Sequence, residues 1–403
     1  MTHGKATPSG VIRTSVSALG WQSFANILSP FASGQEGPTR MPRPTPWRRW
    51  SLLLPLWLGL SACASLPQAG HRTHAAADPT LYRFVFTGDS RGDYKAKPPV
   101  YLEEELLSRT AGYIQALEPR PEFVIFNGDM VAKTTFTQAP EVIKRWHQVF
   151  QEPLKAAGIK VYIAPGNHVV DQKKPCPPGE TCYISLFNRS FPSDSPKNGP
   201  AGYEGVSYSF TQGNVHFVTV TSFMSHDGPD HSELTPAEFT QPKSQFEYFV
   251  NEANRNWLQQ DLATDRSPFT VFFTHVPPYA VGPHHEDKKG MDAHPANRDA
   301  LAGILVDNGV DIVLASHEHL YARADLGPEN PVGSGPKGPL PEVVVGSVSA
   351  PLNTEPARAD MVFAKYLATY GYLVADVKKD RIEFQMFNGD NQPIDFFTIK
   401  AKR

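Results

Sequence analysis

Residues 82–91 read YRFVFTGDSR, a short apolar run that ends in a polar turn. Four later apolar runs end in the same way, in NGD at 127–129, PGNH at 165–168, TH at 274–275 and SHEH at 316–319. Apolar runs of this length that are rich in Val, Ile and Phe predict buried strands. The central pattern of the sequence is therefore a series of buried strands that each end in ligand-capable residues.

Helix-like stretches lie between several of these strands. Apolar residues recur at helical spacing, and we predict helices over residues 101–117, 140–150, 255–262 and 297–308. Strands that alternate with helices indicate α/β layers, in which ligands bind at the carboxyl ends of the strands. We therefore expect the polar turns to meet at one edge of a sheet.

Antiparallel pairing is predicted in two further regions. Residues 208–220 predict a hairpin that turns at Gly213-Asn214. More strands are predicted at residues 342–345, 371–377, 381–387 and 394–399. These favour a second, antiparallel sheet stacked on the first. The Gly- and Pro-rich residues 327–341 are interpreted as a surface loop inside one domain that spans residues 81–403.

Composition and missing motifs exclude several classes of protein. The hydrophobic share of 40% is that of an ordinary soluble core and does not indicate a polytopic membrane protein. The net charge of −3 gives no electrostatic footprint for nucleic acid, so nucleic-acid binding is not expected. The absence of a Gly-x-Ser-x-Gly elbow argues against an α/β-hydrolase, and the absence of a P-loop motif against a P-loop nucleotide hydrolase.

The N-terminal region predicts export. Residues 48–63 read RRWSLLLPLWLGLSAC, a basic pair followed by a short apolar run and small residues, which is the layout of a secretory signal. The final LSAC resembles a bacterial lipobox, in which Cys63 would be acylated. The Arg48-Arg49 pair is also compatible with twin-arginine export. A buried hydrophobic helix is the alternative, and the flanking residues disfavour it.

We therefore predict a lipoprotein-type signal peptide at 41–63, a tether at 64–80, and an exported, membrane-anchored lipoprotein, periplasmic or on the cell surface. Residues 1–40 are either an over-extended gene start or a disordered extension. In an oxidising compartment Cys176 and Cys182 would form a small local disulfide, whereas in a reducing one they would be unrelated thiols.

The polar turns carry a set of metal-ligand residues: Asp89, Asp129, Asn167, His275, His317 and His319. Carboxylate, amide and imidazole groups without a thiolate suit Mn, Fe or Zn rather than a structural zinc–thiolate site. An aspartate at a single strand end is more often a helix cap or a turn former. Suitable ligands at successive strand ends favour a metal site.

The order of these motifs resembles that of the calcineurin-like metallophosphoesterases, which include the purple acid phosphatases. The family's Gly-Asp, Gly-Asp, Gly-Asn-His, His and Gly-His-x-His motifs correspond to residues 88–89, 128–129, 166–168, 275 and 316–319. HLYAR at 319–323 is similar to the His-x-Tyr-x-Arg ending of acid phosphatases in this family. We accordingly expect an α/β fold, a four-layer α/β/β/α sandwich of two stacked mixed β-sheets flanked by helices.

The resemblance implies two divalent or trivalent metal ions and a role for each residue. Asp129 would bridge the metals, Asp89 and His319 would hold the first, and Asn167, His275 and His317 the second. A hydroxide bound to both metals would attack phosphorus in line with the leaving group. His168 would stabilise the transition state or protonate the leaving oxygen, and the substrate would contact Arg91, Asn167 and His168.

Arg91 is the main departure from the family pattern, because it stands where the family has a histidine. Arginine stays protonated and cannot be a ligand, and no tyrosine follows Asp129 to replace it, since Val131, Ala132 and Lys133 stand there. The first metal therefore loses a ligand. Two roles remain open for Arg91, a bidentate contact with the phosphate or a structural ion pair.

Two smaller departures and two polar clusters complete the set of candidates. Val169 stands where the family often has an acidic residue that orients the preceding histidine, and Asp171 is a candidate for that role. Ser316 stands where the family has a glycine. The clusters are expected to be solvated loops, with an auxiliary metal site as the alternative. They are His226, Asp227, Asp230 and His231, and His284, His285, Glu286, Asp287 and His294. The second cluster is also a candidate wall of the substrate pocket.

Three functions remain open at this point. The first is a phosphomonoesterase acting on a phosphorylated small molecule. The second is a phosphodiesterase, or a nucleotide or lipid head-group hydrolase, of the same fold. The third is a surface protein that retains metal but binds a ligand without turnover. The histidine missing from the first motif is the reason to consider it. The sequence does not indicate an oligomeric state.

Overall fold

The computed structural model describes residues 79–132, 138–168, 182–226, 233–240 and 246–401. The predicted N-terminal extension, the signal peptide with Cys63 and nearly all of the tether lie outside these ranges, as do Cys176 and the side chain of Cys182. The domain boundary at residue 81 stays a prediction. Among the described residues, no helix is both long and apolar enough to cross a membrane.

The described strands include all those that the sequence predicts. They are β1 (Tyr82–Thr87), β2 (Phe123–Asn127), β3 (Lys160–Ala164), β4 (Tyr208–Gln212), β5 (Val215–Thr219), β6 (Met224–Ser225), β7 (Phe246–Glu247), β8 (Phe269–Thr274), β9 (Ile312–Ala315), β10 (Tyr321–Leu326), β11 (Leu340–Val345), β12 (Lys365–Leu367), β13 (Gly371–Val377), β14 (Arg381–Asn388) and β15 (Pro393–Lys400). Both β2 and β8 are buried along their whole length, as their continuous apolar sequences predict.

The α-helices are α1 (Glu104–Gln115), α2 (Ala139–Trp146), α3 (Glu152–Ala156), α4 (Cys182–Ser190), α5 (Glu252–Thr264) and α6 (Pro295–Asp307). A π-helical segment, His147–Gln151, joins α2 to α3. The predicted helices correspond to α1, to α2 with this segment, to α5 and to α6. The sequence analysis did not predict α4.

Two large mixed sheets form the centre of the domain. The first has the order β15-β14-β13-β1-β2-β3, and the second β12-β10-β11-β9-β8-β5-β4. Strands β1, β2 and β3 run parallel, and β5, β8 and β9 run parallel in the other sheet. The prediction of a second, antiparallel sheet is wrong, because both large sheets are mixed. The predicted hairpin extends one parallel set and β13–β15 extend the other, because each parallel core accepts antiparallel strands at its edges.

Aromatic residues fill the space between the sheets. The ring of Phe84 on β1 lies 5.1 Å from that of Phe217 on β5, in an edge-to-face arrangement, and Phe123 on β2 lies 5.4 Å from both rings. The outer faces are covered by helices, with Trp146 of α2 packed 4.9 Å from Phe126 on β2. The predicted four-layer α/β/β/α sandwich of two mixed sheets is therefore confirmed.

Candidate metal centre

The predicted metal ligands follow the carboxyl ends of the central strands of both sheets. Asp89 comes after β1, Asp129 after β2 and Asn167 after β3, while His275 comes after β8 and His317 and His319 after β9. One ligand atom each of Asp89, Asp129 and His275 lies within 4.8 Å of the others, and all three residues are buried. The two sheets therefore direct their polar turns to one point, where a candidate metal site exists.

The backbone at this point is folded into sharp, left-handed turns. The φ angles are 57° at Asp89, 49° at Asp129, 71° at His317 and 53° at His319. A residue other than glycine in this region costs of order 1–3 kcal/mol, and such residues cluster at functional sites. Left-handed turns at the ends of three strands turn these side chains into the same space.

Two glycines are required because these turns pack closely against the backbone of Asp129 and the side chain of His275. A Cβ on Gly166 would lie 2.1 Å from the backbone nitrogen of Asp129, and one on Gly128 would lie 2.3 Å from Nδ1 of His275. Gly128 also has a φ of +90°. By contrast, Ser316 has no left-handed φ, and its Oγ accepts a hydrogen bond of 3.1 Å from the side chain of Asn127. This explains how Ser316 replaces the family's glycine.

The second candidate metal position is bounded by Asp129, Asn167, His275 and His317. Nε2 of His275 and Nδ1 of His317 each lie 3.1 Å from Oδ1 of Asn167. Nε2 of His275 is also 3.4 Å from Oδ1 of Asp129. Four potential ligand atoms from four strand ends therefore face the same small space.

Backbone carbonyls fix which imidazole nitrogens face this space. Nδ1 of His275 donates to the carbonyl of Asn127 over 2.9 Å, and Nε2 of His317 donates to that of Lys289 over 2.9 Å. In neutral imidazoles the opposite nitrogens then carry lone pairs, and they point at the amide oxygen of Asn167. A cation would satisfy these lone pairs. The donor set fits a metal ion.

The first candidate position has fewer ligands. Nε2 of His319 lies 3.4 Å from Oδ1 of Asp89, and its Nδ1 donates to the carbonyl of Pro351 over 2.7 Å. Oδ1 of Asp89 and Oδ2 of Asp129 are buried and make no hydrogen bond within the described part of the chain. These two oxygens and the His319 nitrogen also fit a cation, but they supply only three ligands.

The electrostatic environment supports this arrangement. Burial would raise the pKa of Asp89, but the neighbouring imidazoles of His319 and His275 and the hydrogen bond from the backbone nitrogen of His317 hold it below its usual value. Burial and the neighbouring Asp89 instead raise the pKa of Asp129. Burial, with His284 and His275 nearby, lowers the pKa of His317 well below its usual value, so that it stays neutral. Two close buried carboxylates and a neutral imidazole are a setting that a cation would stabilise.

Arg91 and His168 lie beside the ligands. Nε of Arg91 is 3.7 Å from Oδ2 of Asp129, and Nε2 of His168 is 4.0 Å from the same oxygen. The backbone nitrogen of His168 donates to Oδ1 of Asp129 over 2.9 Å. Tyr94 stands next to both, 5.8 Å from the His168 ring and 5.8 Å from the Arg91 guanidinium. The two predicted catalytic residues therefore share one side of the site.

Two nearby residues were not predicted to belong to the site. The ring of Tyr248 lies 5.6 Å from that of His317, and its hydroxyl accepts a hydrogen bond of 3.3 Å from Nδ2 of Asn167. Glu318, between two ligands, is buried, and burial raises its pKa to about 7. Tyr248 follows a two-residue strand and belongs to no motif, so no sequence signal identified it. Glu318 was visible only as the variable residue of the last motif.

The polar clusters outside the motifs divide into two cases. His284 lies 4.8 Å from the ring of His317, so the loop after His275 forms a wall of the site. His226 and His294 instead both bond to the buried carboxylate of Glu247. The remaining members of the first cluster, Asp227, Asp230 and His231, lie outside the described residues, as do Lys133, Val169 and Asp171.

Tyr321 and Arg323, the end of the last motif, face away from the ligands. The hydroxyl of Tyr321 donates to Asp395 over 2.7 Å, and Nε of Arg323 donates to the same carboxylate over 2.9 Å. Asp395 lies on β15 of the first sheet, whereas both donors lie on β10 of the second. This part of the motif therefore joins the two sheets beneath the site.

The part of the chain that contains these motifs matches a known protein family. The family model described as calcineurin-like phosphoesterase matches residues 82–321, well over half of the 403-residue chain. The chain belongs to the calcineurin-like phosphoesterase family. This membership confirms the resemblance seen in the motifs and supports phosphoester hydrolysis as the class of activity.

Similar proteins include acid phosphatases. An acid phosphatase of Aspergillus ficuum is 29% identical over 171 residues, which cover 37% of this chain and 26% of that protein. Purple acid phosphatase 15 of Arabidopsis thaliana is 27% identical over 176 residues, covering 41% and 26%. The chain thus matches only about a quarter of the length of these curated relatives.

Solved structures support the fold. A purple acid phosphatase from yellow lupin seeds superposes with a TM-score of 0.52 at 18% identity, covering 79% of this chain and 53% of that one. A dimetal phosphatase from Danio rerio gives 0.52 at 15% identity, covering 80% and 100%. At these identities the likeness concerns the fold alone.

Proposed function

We propose that this phosphoesterase is a metal-dependent phosphomonoesterase acting on a phosphorylated small molecule. One observation carries the proposal: imidazole nitrogens, carboxylate oxygens and an amide oxygen from the strand ends of both sheets lie 3.1–3.4 Å from one another. In this proposal Asp89, Asp129 and His319 would hold one metal ion, and Asp129, Asn167, His275 and His317 would hold a second. The names of the similar acid phosphatases support the monoester class.

The protein's own residues would bind and orient the phosphate. Bound metal ions would polarise the phosphoryl oxygens and lower the pKa of water. Arg91 carries a permanent charge beside Asp129 and offers a planar pair of donors, which suits bidentate contact with a phosphate. His168 lies on the same side of the site, 4.0 Å from Asp129, and would protonate the leaving oxygen.

The proposal is tested by measuring metal content together with hydrolysis of p-nitrophenyl phosphate and of bis(p-nitrophenyl) phosphate, after reconstitution with Mn, Fe or Zn. We expect bound metal and faster turnover of the monoester. Faster turnover of the diester would replace the proposal with a phosphodiesterase. Metal binding without turnover of either ester would favour the non-catalytic ligand-binding protein.

Ligand variants test the assignment of residues. Replacing His275 by alanine removes a nitrogen from the second site, so we expect loss of metal and of hydrolysis together. Replacing His216 by alanine is a matched control, because that buried histidine bonds to Asp261 on helix α5, away from the ligands. Unchanged metal content and activity in the His275→Ala variant would rule out the proposed ligand set.

We also propose that the protein is exported and anchored through an acylated Cys63, as residues 48–63 predict. The experiment is metabolic labelling with a fatty-acid analogue in a bacterial host, followed by membrane fractionation. We expect label and membrane association in the wild type and neither in a Cys63→Ser variant. Equal membrane association of both proteins without label would refute acylation at this cysteine.

A further inference from the structure

We infer that Tyr248 is a positioning residue for the second metal position, where it sets the orientation of the Asn167 amide. The inference rests on the proposed metal centre and concerns a residue outside all the motifs. Tyr248 is 4% exposed and contacts two of the four residues that bound this position. Its hydroxyl accepts a hydrogen bond of 3.3 Å from Nδ2 of Asn167, and its ring lies 5.6 Å from that of His317.

The amide of Asn167 needs such a partner because its two ends differ in chemistry but hardly in shape. Only the oxygen can bind a cation, and the NH2 group can only donate. With the oxygen facing His275 and His317, the NH2 group points away from the ligands and requires an acceptor there. The Tyr248 hydroxyl is that acceptor. Without it, turning the amide over would bond the NH2 group to the two imidazole lone pairs and remove the ligand.

The segment that carries Tyr248 is firmly anchored by its neighbour. The carboxylate of Glu247 is fully buried and accepts hydrogen bonds from Nε2 of His226 over 3.2 Å, Nε2 of His294 over 2.9 Å and the hydroxyl of Thr240 over 2.8 Å. Three separate segments therefore hold one carboxylate next to Tyr248. A hydroxyl on so constrained a backbone is pre-positioned before metal binds.

Removing this hydroxyl should therefore weaken metal binding without dismantling the site. Partners that orient metal ligands typically contribute a factor of about 10–100 in metal affinity. We expect Tyr248→Phe to weaken Zn²⁺ binding at one site by a factor in this range. A Tyr248→Leu variant also loses the ring that packs on His317, so its binding should be weaker still.

The decisive experiment is a double-mutant cycle with Asn167→Asp. An aspartate presents oxygen at both ends, so its orientation no longer matters and Tyr248→Phe should have a much smaller effect in that background. Zn²⁺ affinity is measured on the full chain, stripped of metal, by competition with a chromogenic chelator. Tyr82→Phe is the matched control: it removes the hydroxyl of a buried tyrosine at the start of β1, which donates a hydrogen bond to the carbonyl of Gln212 on β4.

The outcomes are distinct. A large effect of Tyr248→Phe that shrinks in the Asn167→Asp background supports the inference. An unchanged Zn²⁺ affinity in Tyr248→Phe, or an equal loss in both backgrounds, overturns it, since equal loss indicates a structural role only. If the wild-type chain itself binds no Zn²⁺, Mn²⁺ or iron, the proposed function fails instead, so the two failures are distinguishable.

Discussion

Replacing Arg91 by alanine separates the two roles that remain open for this side chain. If the guanidinium contacts the substrate, phosphate binding should weaken while metal content stays near that of the wild type. Hydrogen bonds to charged groups contribute about 1.5–3 kcal/mol each, and every 1.4 kcal/mol corresponds to a factor of about ten. Loss of one such bond therefore predicts roughly a 10- to 100-fold rise in the inhibition constant of inorganic phosphate.

The geometry argues against a strong structural ion pair. The 3.7 Å between Nε of Arg91 and Oδ2 of Asp129 exceeds hydrogen-bond length, and this Nε makes no hydrogen bond within the described residues. Breaking a well-formed buried pair costs about 3–5 kcal/mol, which would appear as a drop of several degrees in Tm. For Arg91→Ala we expect a much smaller change in the Tm of the metal-free protein.

The assay combines phosphate inhibition of p-nitrophenyl phosphate hydrolysis, metal content by mass spectrometry, and thermal unfolding. Arg109→Ala is the control, because this half-exposed arginine of α1 bonds to the carbonyl of Gly389 and has no part in the site. Loss of metal or a large fall in Tm, with phosphate inhibition unchanged, would refute the phosphate contact and assign Arg91 to the ion pair.

Three further predictions concern the turns, the buried acids and the metal. Gly166→Ala places a Cβ 2.1 Å from the backbone of Asp129, so we expect loss of metal binding in isothermal titration. Gly112→Ala is the control: its Cβ would have no atom within 4 Å, so this variant should unfold at or above the wild-type temperature. Burial raises the pKa of Glu342 well above its usual value, so the stability linked to its proton is complete below about pH 4.5 and declines as the pH rises through the folded-state pKa. Scanning fluorimetry should therefore show Glu342→Gln gaining Tm over the wild type as pH rises from 4.5 to 8, and a difference independent of pH would contradict this. Free metal at 100 times its Kd stabilises the folded state by about 2.7 kcal/mol, so removing it with a chelator should lower the free energy of unfolding of the wild type by this amount. An unchanged Tm would argue against a native metal site.

The sequence predicted the parts of the fold that repeat a simple pattern. Short, largely apolar runs predicted β1, β2, β3, β8 and β9 as strands. The polar turns that end these runs predicted which residues are candidate ligands. The sequence did not predict how the antiparallel strands are divided between the two sheets. Nothing in the sequences of the β4–β5 hairpin and the C-terminal β13–β15 marks the sheet to which they belong, and only long-range pairing determines which sheet each joins.

The candidate site was predictable where ligands lie next to strand ends and unpredictable where they depend on distant contacts. Asp89 follows a strand of the first sheet and His319 a strand of the second, yet each belongs to a turn that the sequence motif identifies. The contacts of Tyr248 and the carbonyl of Lys289 with the ligands join segments far apart in the chain. No local pattern marks such residues, because their role depends on the tertiary fold rather than on neighbouring residues.

The left-handed turns have a consequence for engineering this protein. Four ligand-bearing positions, residues 89, 129, 317 and 319, adopt a backbone conformation that glycine or asparagine would adopt with less strain. In metal-free protein, replacing the ligands at these positions by glycine is therefore expected to relieve backbone strain and raise heat resistance. A library screened for thermostability without metal would lose the site at these positions first. Directed evolution of a heat-resistant form needs metal present at every round of selection, because only bound metal makes the strained residues the more stable choice.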